Sequence, residues 1–211
     1  MKPRAHGFTL IELLVTMSII AVLAILVARI APGALSRSKE TISLNNLRQI
    51  GIAFQLYAAD NDGRLPQRVT TSDKWPFLLN EYLKTPKVYA DPSDTESYLI
   101  NGEDPLSNSS NHTSYIMNGY NDLGAFSDET VIIKIANIAT PSQVILAAIQ
   151  LNSSNFYMDF EEGNHASVLN KTAYRDGSVY LFTDGSSRFL KQDEYEDRLW
   201  LINPEYQIPT P

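Results

Sequence analysis

The chain has 211 residues, 44% of them apolar, and a formal net charge of −7. That length fits one membrane or leader segment plus one modest domain, and an acidic chain with scattered cations argues against a nucleic-acid partner. With no cysteine at all, disulfides, thiolate metal sites, cysteine nucleophiles and cysteine lipidation are excluded together.

In chain order, the first element is an apolar run. Met1–Gly7 (MKPRAHG) is short and basic through Lys2 and Arg4, and Phe8–Ala28 then runs for 21 residues with Glu12 as its one charge. As a helix this run measures about 31 Å, close to the hydrocarbon thickness of a bilayer. A secretory signal peptide has a shorter apolar region that ends at a small-residue cleavage site. A plain membrane anchor fits the length. Its orientation stays open, because Arg29, Arg37 and Lys39 follow the run as Lys2 and Arg4 precede it. Neither reading accounts for Glu12, since a carboxylate at mid-bilayer costs about 2.5–3.5 kcal/mol on insertion scales. A glutamate near the helix end that reaches the headgroups is the plainer explanation.

The string Gly7-Phe8-Thr9-Leu10-Ile11-Glu12 resembles the processing site of type IV prepilins and type II secretion pseudopilins. The resemblance implies cleavage between Gly7 and Phe8 by a prepilin peptidase and N-methylation of Phe8. It also implies that the new ammonium pairs with Glu12 of the same or a neighbouring subunit in a medium of low dielectric.

The helical pattern continues past the run. Pro32-Gly33 is expected to kink or interrupt it. Beyond, Leu44, Leu47, Ile50, Phe54 and Tyr57 recur at spacings of three and four, an apolar stripe for a globular domain. Asp60-Asn61-Asp62-Gly63 followed by Pro66 is a stop, and it lacks the ligand spacing of a calcium loop. The expected divisions are a leader at 1–7, a transmembrane and assembly helix at 8–31, its amphipathic continuation at 32–62, and a small globular domain with a C-terminal tail at 63–211.

In the globular part, Ser72-Asp73 before Trp75, Leu78, Leu79 and Tyr82 predicts a capped short helix. Residues 101–114 read as a surface loop. Short strands are expected at Tyr115–Met117, Val131–Ile135 and Val144–Ala148. Asp184-Gly185 between two strand-like segments predicts a two-residue type I′ hairpin, with Phe182 opposite Ser187 and Tyr180 opposite Phe189. From Gln192 onward an irregular acidic tail is expected. The fold class is α+β: a long N-terminal helix, transmembrane in its first half, packed on a small antiparallel sheet.

Five ordered blocks extend the resemblance: NNLRQIGIAFQLYAADNDGRLP, DPSD, SYIMNGY, PSQVILAA and LFTDG. They are similar to a group of bacterial prepilin-type proteins labelled by a His-x9-Asp-Gly motif. Tyr174 stands at the histidine position, and His165 lies nine residues earlier. Ser43 and Ala90 stand where relatives often carry cysteines, so loop anchoring is expected from packing alone.

No nucleophile–base pair, Walker motif or zinc spacing is legible, so no catalytic residue and no metal ligand is assigned and an enzyme is not expected. With His6 leaving in the leader that the resemblance implies, His112 and His165 are too few for a three-histidine site, and Asp159, Glu161, Glu162 and His165 read as a solvated acidic loop. The resemblance leaves calcium at Asp176 or Asp184 conceivable. It implies a structural subunit of a filament or secretion pseudopilus in the inner membrane, single-pass, with the globular domain on the periplasmic or cell-surface side. The implied partners are prepilin peptidase, other pilin-like subunits in a homo- or hetero-filament, an inner-membrane assembly platform and membrane lipid. The alternative is a membrane-tethered binding module for polysaccharide or protein, whose contact aromatics would be the exposed ones among Trp75, Tyr115, Tyr120 and Tyr157, most of which are expected in the core.

Overall fold

A single helix, α1 (Leu10–Asp60), begins the fold of this computed structural model, which describes residues 8–68, 74–94, 113–124, 131–151, 155–158, 160 and 165–208. The chain divides into two compact units, Met1–Ser38 and Lys39–Pro211. In the first, the large apolar side chains from Phe8 to Val27 are exposed, among them Leu10 at 82% and Ile20 at 65%. This helix is long and apolar enough to cross a membrane. Pro32 lies inside α1 and does not interrupt it, because one lost backbone hydrogen bond is bridged by the turns on either side.

In the second unit the stripe behaves as its spacing predicts. Leu47, Ile50, Ala53 and Phe54 are fully buried, with Leu44 and Tyr57 partly so. The helix stops in a left-handed turn, with φ of 56° at Asp62 and 78° at Gly63, and the Gly63 amide donates back to the Ala58 carbonyl at 2.7 Å.

The stripe packs on a sheet formed by β1 (Tyr115–Asn118), β2 (Ile145–Ile149), β3 (Tyr157–Met158), β4 (Gly177–Phe182) and β5 (Ser187–Lys191), in the order β3-β1-β2-β4-β5. The sheet is mixed rather than antiparallel, because β3 joins β1 in parallel. Only two residues long, β3 carries too little pattern to be read from sequence. The segment Val131–Ile135 is not a strand either. Lys134 makes one isolated bridge to Arg64, and a 3-10 turn follows at Ile135–Asn137. The short helix α2 (Trp75–Leu79) starts at Lys74 with no side-chain cap, while the expected caps at 72 and 73 and most of the 101–114 loop lie outside the described residues.

Side chains alternate across the sheet as the pleat requires. Tyr115, Met117, Ala147, Val179 and Leu181 meet the α1 stripe, and Ile116, Ala148, Tyr180 and Phe182 form a second core. That second core corrects the irregular tail. A 3-10 turn at Asp197–Trp200 brings Trp200 and Leu201 onto it, and Asn118 Nδ2 donates to the Trp200 carbonyl at 2.7 Å. Charged neighbours in the sequence hid these two anchors.

The hairpin register also differs by one. Leu181 faces Ser187 and Val179 faces Phe189. The Gly185 amide donates to the Phe182 carbonyl at 2.9 Å and the Phe182 amide to the Ser186 carbonyl at 2.8 Å. Gly185 has φ 83° and Asp184 is not left-handed. This is a three-residue loop, a type I turn closed by a left-handed glycine, rather than the type I′ pair. Its backbone is claimed from outside: the Thr183 amide donates to the Val144 carbonyl at 2.9 Å and Gln55 Nε2 to the Thr183 carbonyl at 3.1 Å.

Candidate functional site

Two places bring together residues singled out by the sequence. The first is the start of α1. Gly7 lies outside the described residues; Phe8 is exposed. Thr9 and Glu12 form a reciprocal capping box. The Thr9 amide and hydroxyl donate to Glu12 Oε2 at 2.9 and 2.8 Å, and the Glu12 amide donates to Thr9 Oγ1 at 3.3 Å. Both side-chain bonds fall on Oε2, and among the described residues Oε1 has no donor. Further along, Thr16 and Ser18 return their hydroxyls to the carbonyls of Leu13 and Val15 at 2.9 and 2.7 Å. The hydroxyls of Thr9, Thr16 and Ser18 are therefore all bonded within the helix. Phe8, Ile11, Glu12, Val15 and Thr16 line a shallow groove of about 400 Å³.

The second place lies in the folded unit and was not expected. Asp91 is 1% exposed. Its Oδ1 accepts from Tyr174 OH at 2.6 Å and from the amide and hydroxyl of Ser93 at 2.8 and 2.5 Å. Its Oδ2 accepts from Tyr115 OH at 3.0 Å and from Ser43 Oγ. Burial and the Asp91 charge push the Tyr115 and Tyr174 hydroxyls well above the ordinary tyrosine range, which keeps both as donors. Ser43 and Tyr174, far apart in the chain, thus converge on one carboxylate. Beside it, Asn46 Nδ2 donates to the Ala90 carbonyl at 3.1 Å, so loop anchoring comes from hydrogen bonds as well as packing. The turn Asp91–Ser93 was legible as an Asx turn; its partners 48 and 83 residues away were not.

Other candidates separate. Asp184 Oδ1 is occupied by the Ser186 amide and hydroxyl at 2.8 and 2.6 Å, and Asp176 lines a cavity with Lys191, Gln192 and Asp193. Among the described residues no cluster of three or more histidines and carboxylates stands in metal-binding range. His165 opens α3 (His165–Val168); His112 and the acidic run at 159, 161 and 162 lie outside the described residues. Trp75, Tyr115 and Tyr120 are fully buried. Tyr157 donates to the Gln67 carbonyl at 3.2 Å, so this set forms core and not an exposed aromatic platform.

The long helix packed on a small mixed sheet is an α+β, pilin-like arrangement. Residues 2–28 match the family model of the prokaryotic N-terminal methylation motif, in agreement with a type IV prepilin- or pseudopilin-like chain. The match covers most of the basic N-terminal stretch and the whole apolar run. No curated protein and no solved structure matches the chain.

Proposed function

We propose that the protein is a structural pilin-like or pseudopilin subunit, cut by prepilin peptidase between Gly7 and Phe8 and methylated at Phe8. It is held in the inner membrane by the first half of α1 and assembles through it into a filament or secretion pseudopilus. Residues 39–211 stand on the extracytoplasmic side. The observation that carries this reading is the methylation motif lying on a helix whose apolar side chains are exposed on every face. A helix apolar all round needs lipid or other helices about it.

Glu12 has a defined part in the scheme. The capping box with Thr9 fixes the helix start and holds Oε2, which keeps the carboxylate partly satisfied in the lone subunit. Oε1 is then open to the ammonium that cleavage creates on Phe8 of a neighbouring subunit, and the pairing sets the axial offset between helices. The assembly platform and the choice among secretion or pilus machines belong to the same proposal.

The chain has no cysteine, so Val15→Cys introduces a sole thiol into the proposed seam. Oxidation in the native membrane is expected to give linked dimers, which Glu12→Ala abolishes without preventing processing. A chain that stays monomeric with Val15→Cys, in cells holding the assembly machinery, contradicts assembly through this helix.

A further inference from the structure

We propose that Asp91 is a positioning residue. Among the described residues its carboxylate meets only hydrogen-bond donors, and it fastens four separate stretches of the folded unit to one another. The stretches are α1 through Ser43, its own turn through Ser93, β1 through Tyr115, and the turn entering β4 through Tyr174. The inference concerns residues 39–211 and does not depend on how α1 assembles.

The chemistry of the socket selects an anion. An ionised carboxylate accepts and cannot donate. It meets four hydroxyls and one backbone amide here, and none of the five is a cation. A buried carboxylate without a counter-charge is costly unless hydrogen bonds to the charged form replace its hydration. Five donors do so. The turn is held again from its main chain. The Asp91 amide donates to Ser114 Oγ at 2.9 Å, Ser114 Oγ donates to Asp94 Oδ2 at 2.8 Å, and the Ser114 amide donates to the Tyr89 carbonyl at 2.9 Å.

An amide in place of the carboxylate keeps the shape but leaves one accepting oxygen: with it on the Ser93 and Tyr174 side, the amino group meets the Ser43 and Tyr115 hydroxyl protons, which have to turn away. Asp91→Asn is therefore expected to behave like a deletion and not like a conservative change. The fastening spans 48 residues in one direction and 83 in the other. It gives a cysteine-free chain long-range ties that no redox change can cut.

The test uses the full chain in detergent. Asp91→Gly and Asp91→Asn should each lower the Tm by roughly 10 °C and speed exchange of the Ser93 and Ser114 amides on the order of tenfold. Formate, which presents the same two oxygens, should raise the Tm of Asp91→Gly by several degrees more than chloride at equal ionic strength, and leave wild type unchanged. Wild-type melting of Asp91→Asn, or equal effects of formate and chloride on Asp91→Gly, overturns the proposal. Should either variant fail to fold, Ser43→Ala and Tyr174→Phe remove one donor each. Their effects should be non-additive in the double variant, because both act on one carboxylate; strict additivity overturns the proposal equally.

Discussion

The two halves of α1 share one backbone and face different surroundings. From Phe8 to Val27 the large apolar side chains are exposed, and within the folded unit Leu47, Ile50 and Phe54 are fully buried. The sequence difference behind this is periodicity. The first stretch is apolar all round with Glu12 as its one charge, and the second gathers its buried apolar residues in a stripe with Asn46, Arg48 and Gln49 beside it and Ile42, Ile52 and Leu56 left exposed. A stripe has enough information to choose one partner, the sheet. An unpatterned apolar cylinder does not, and it takes lipid or identical helices instead. One helix thereby carries both a span long and apolar enough to cross a membrane and a core element of the folded unit.

The largest expected effect breaks the first half alone. Ile19→Arg combined with Leu23→Arg puts two charges near the middle of the span, at a cost of roughly 5–7 kcal/mol for insertion. Membrane fractionation should find the double variant displaced from the membrane pellet. The matched substitutions Phe54→Ala and Leu26→Ala sharpen the contrast. Phe54 is stacked on Trp75 with ring centroids 5.6 Å apart, so its loss should lower unfolding stability by about 3–5 kcal/mol. Leu26→Ala should change it by less than about 0.5 kcal/mol.

A smaller effect tests the approach of helix and hairpin. A Cβ added at Gly51 meets the Leu181 side chain at 2.8 Å and the Gly185 carbonyl oxygen at 2.9 Å. Alanine is the better helix former by about 1 kcal/mol, yet Gly51→Ala should destabilise by about 1–2 kcal/mol, because a backbone oxygen has to move. Chemical denaturation gives the sign. Smaller still is Glu40→Gln. The Arg175–Glu40 contact at 2.7 Å is partly exposed on the arginine side, and its loss should cost about 0.5–1 kcal/mol, diminishing in salt.

The smallest change concerns Asp122, whose carboxylate accepts from the Ile202 and Asn203 amides at 2.5 Å each. Burial raises its pKa against those two amides, which lower it. With the folded value above the unfolded one, the stabilising contribution is complete at pH below the unfolded value and is lost as pH rises through the folded value. Asp122→Asn keeps an oxygen for both amides and removes that loss. Its Tm should equal wild type in acid and match or exceed it at neutral pH, opposite in sign to Asp91→Asn.

The parts of the fold legible in sequence were those written locally. The α1 stripe, its stop at Asp62-Gly63, strands β1, β2, β4 and β5, and the turn at Asp184-Gly185 each follow from spacing or turn chemistry. What escaped was set at long range. The loop type at Gly185 was decided by Val144, Pro141 and Gln55 holding its backbone, and no hairpin rule contains them. Trp200 was masked by acidic neighbours, and β3 by its two-residue length. The capping box of Thr9 and Glu12 is also written locally, in a threonine followed three residues later by a glutamate. The Asp91 socket has one local partner, Ser93, and three distant ones, so no local pattern announces it.

Intact-mass measurement of the protein extracted from membranes of a host with prepilin peptidase tests the central claim most directly. The account predicts the mass of the chain from Phe8 onward carrying one methyl group. A mature species that retains Met1–Gly7, or one that begins beyond the apolar run, contradicts it.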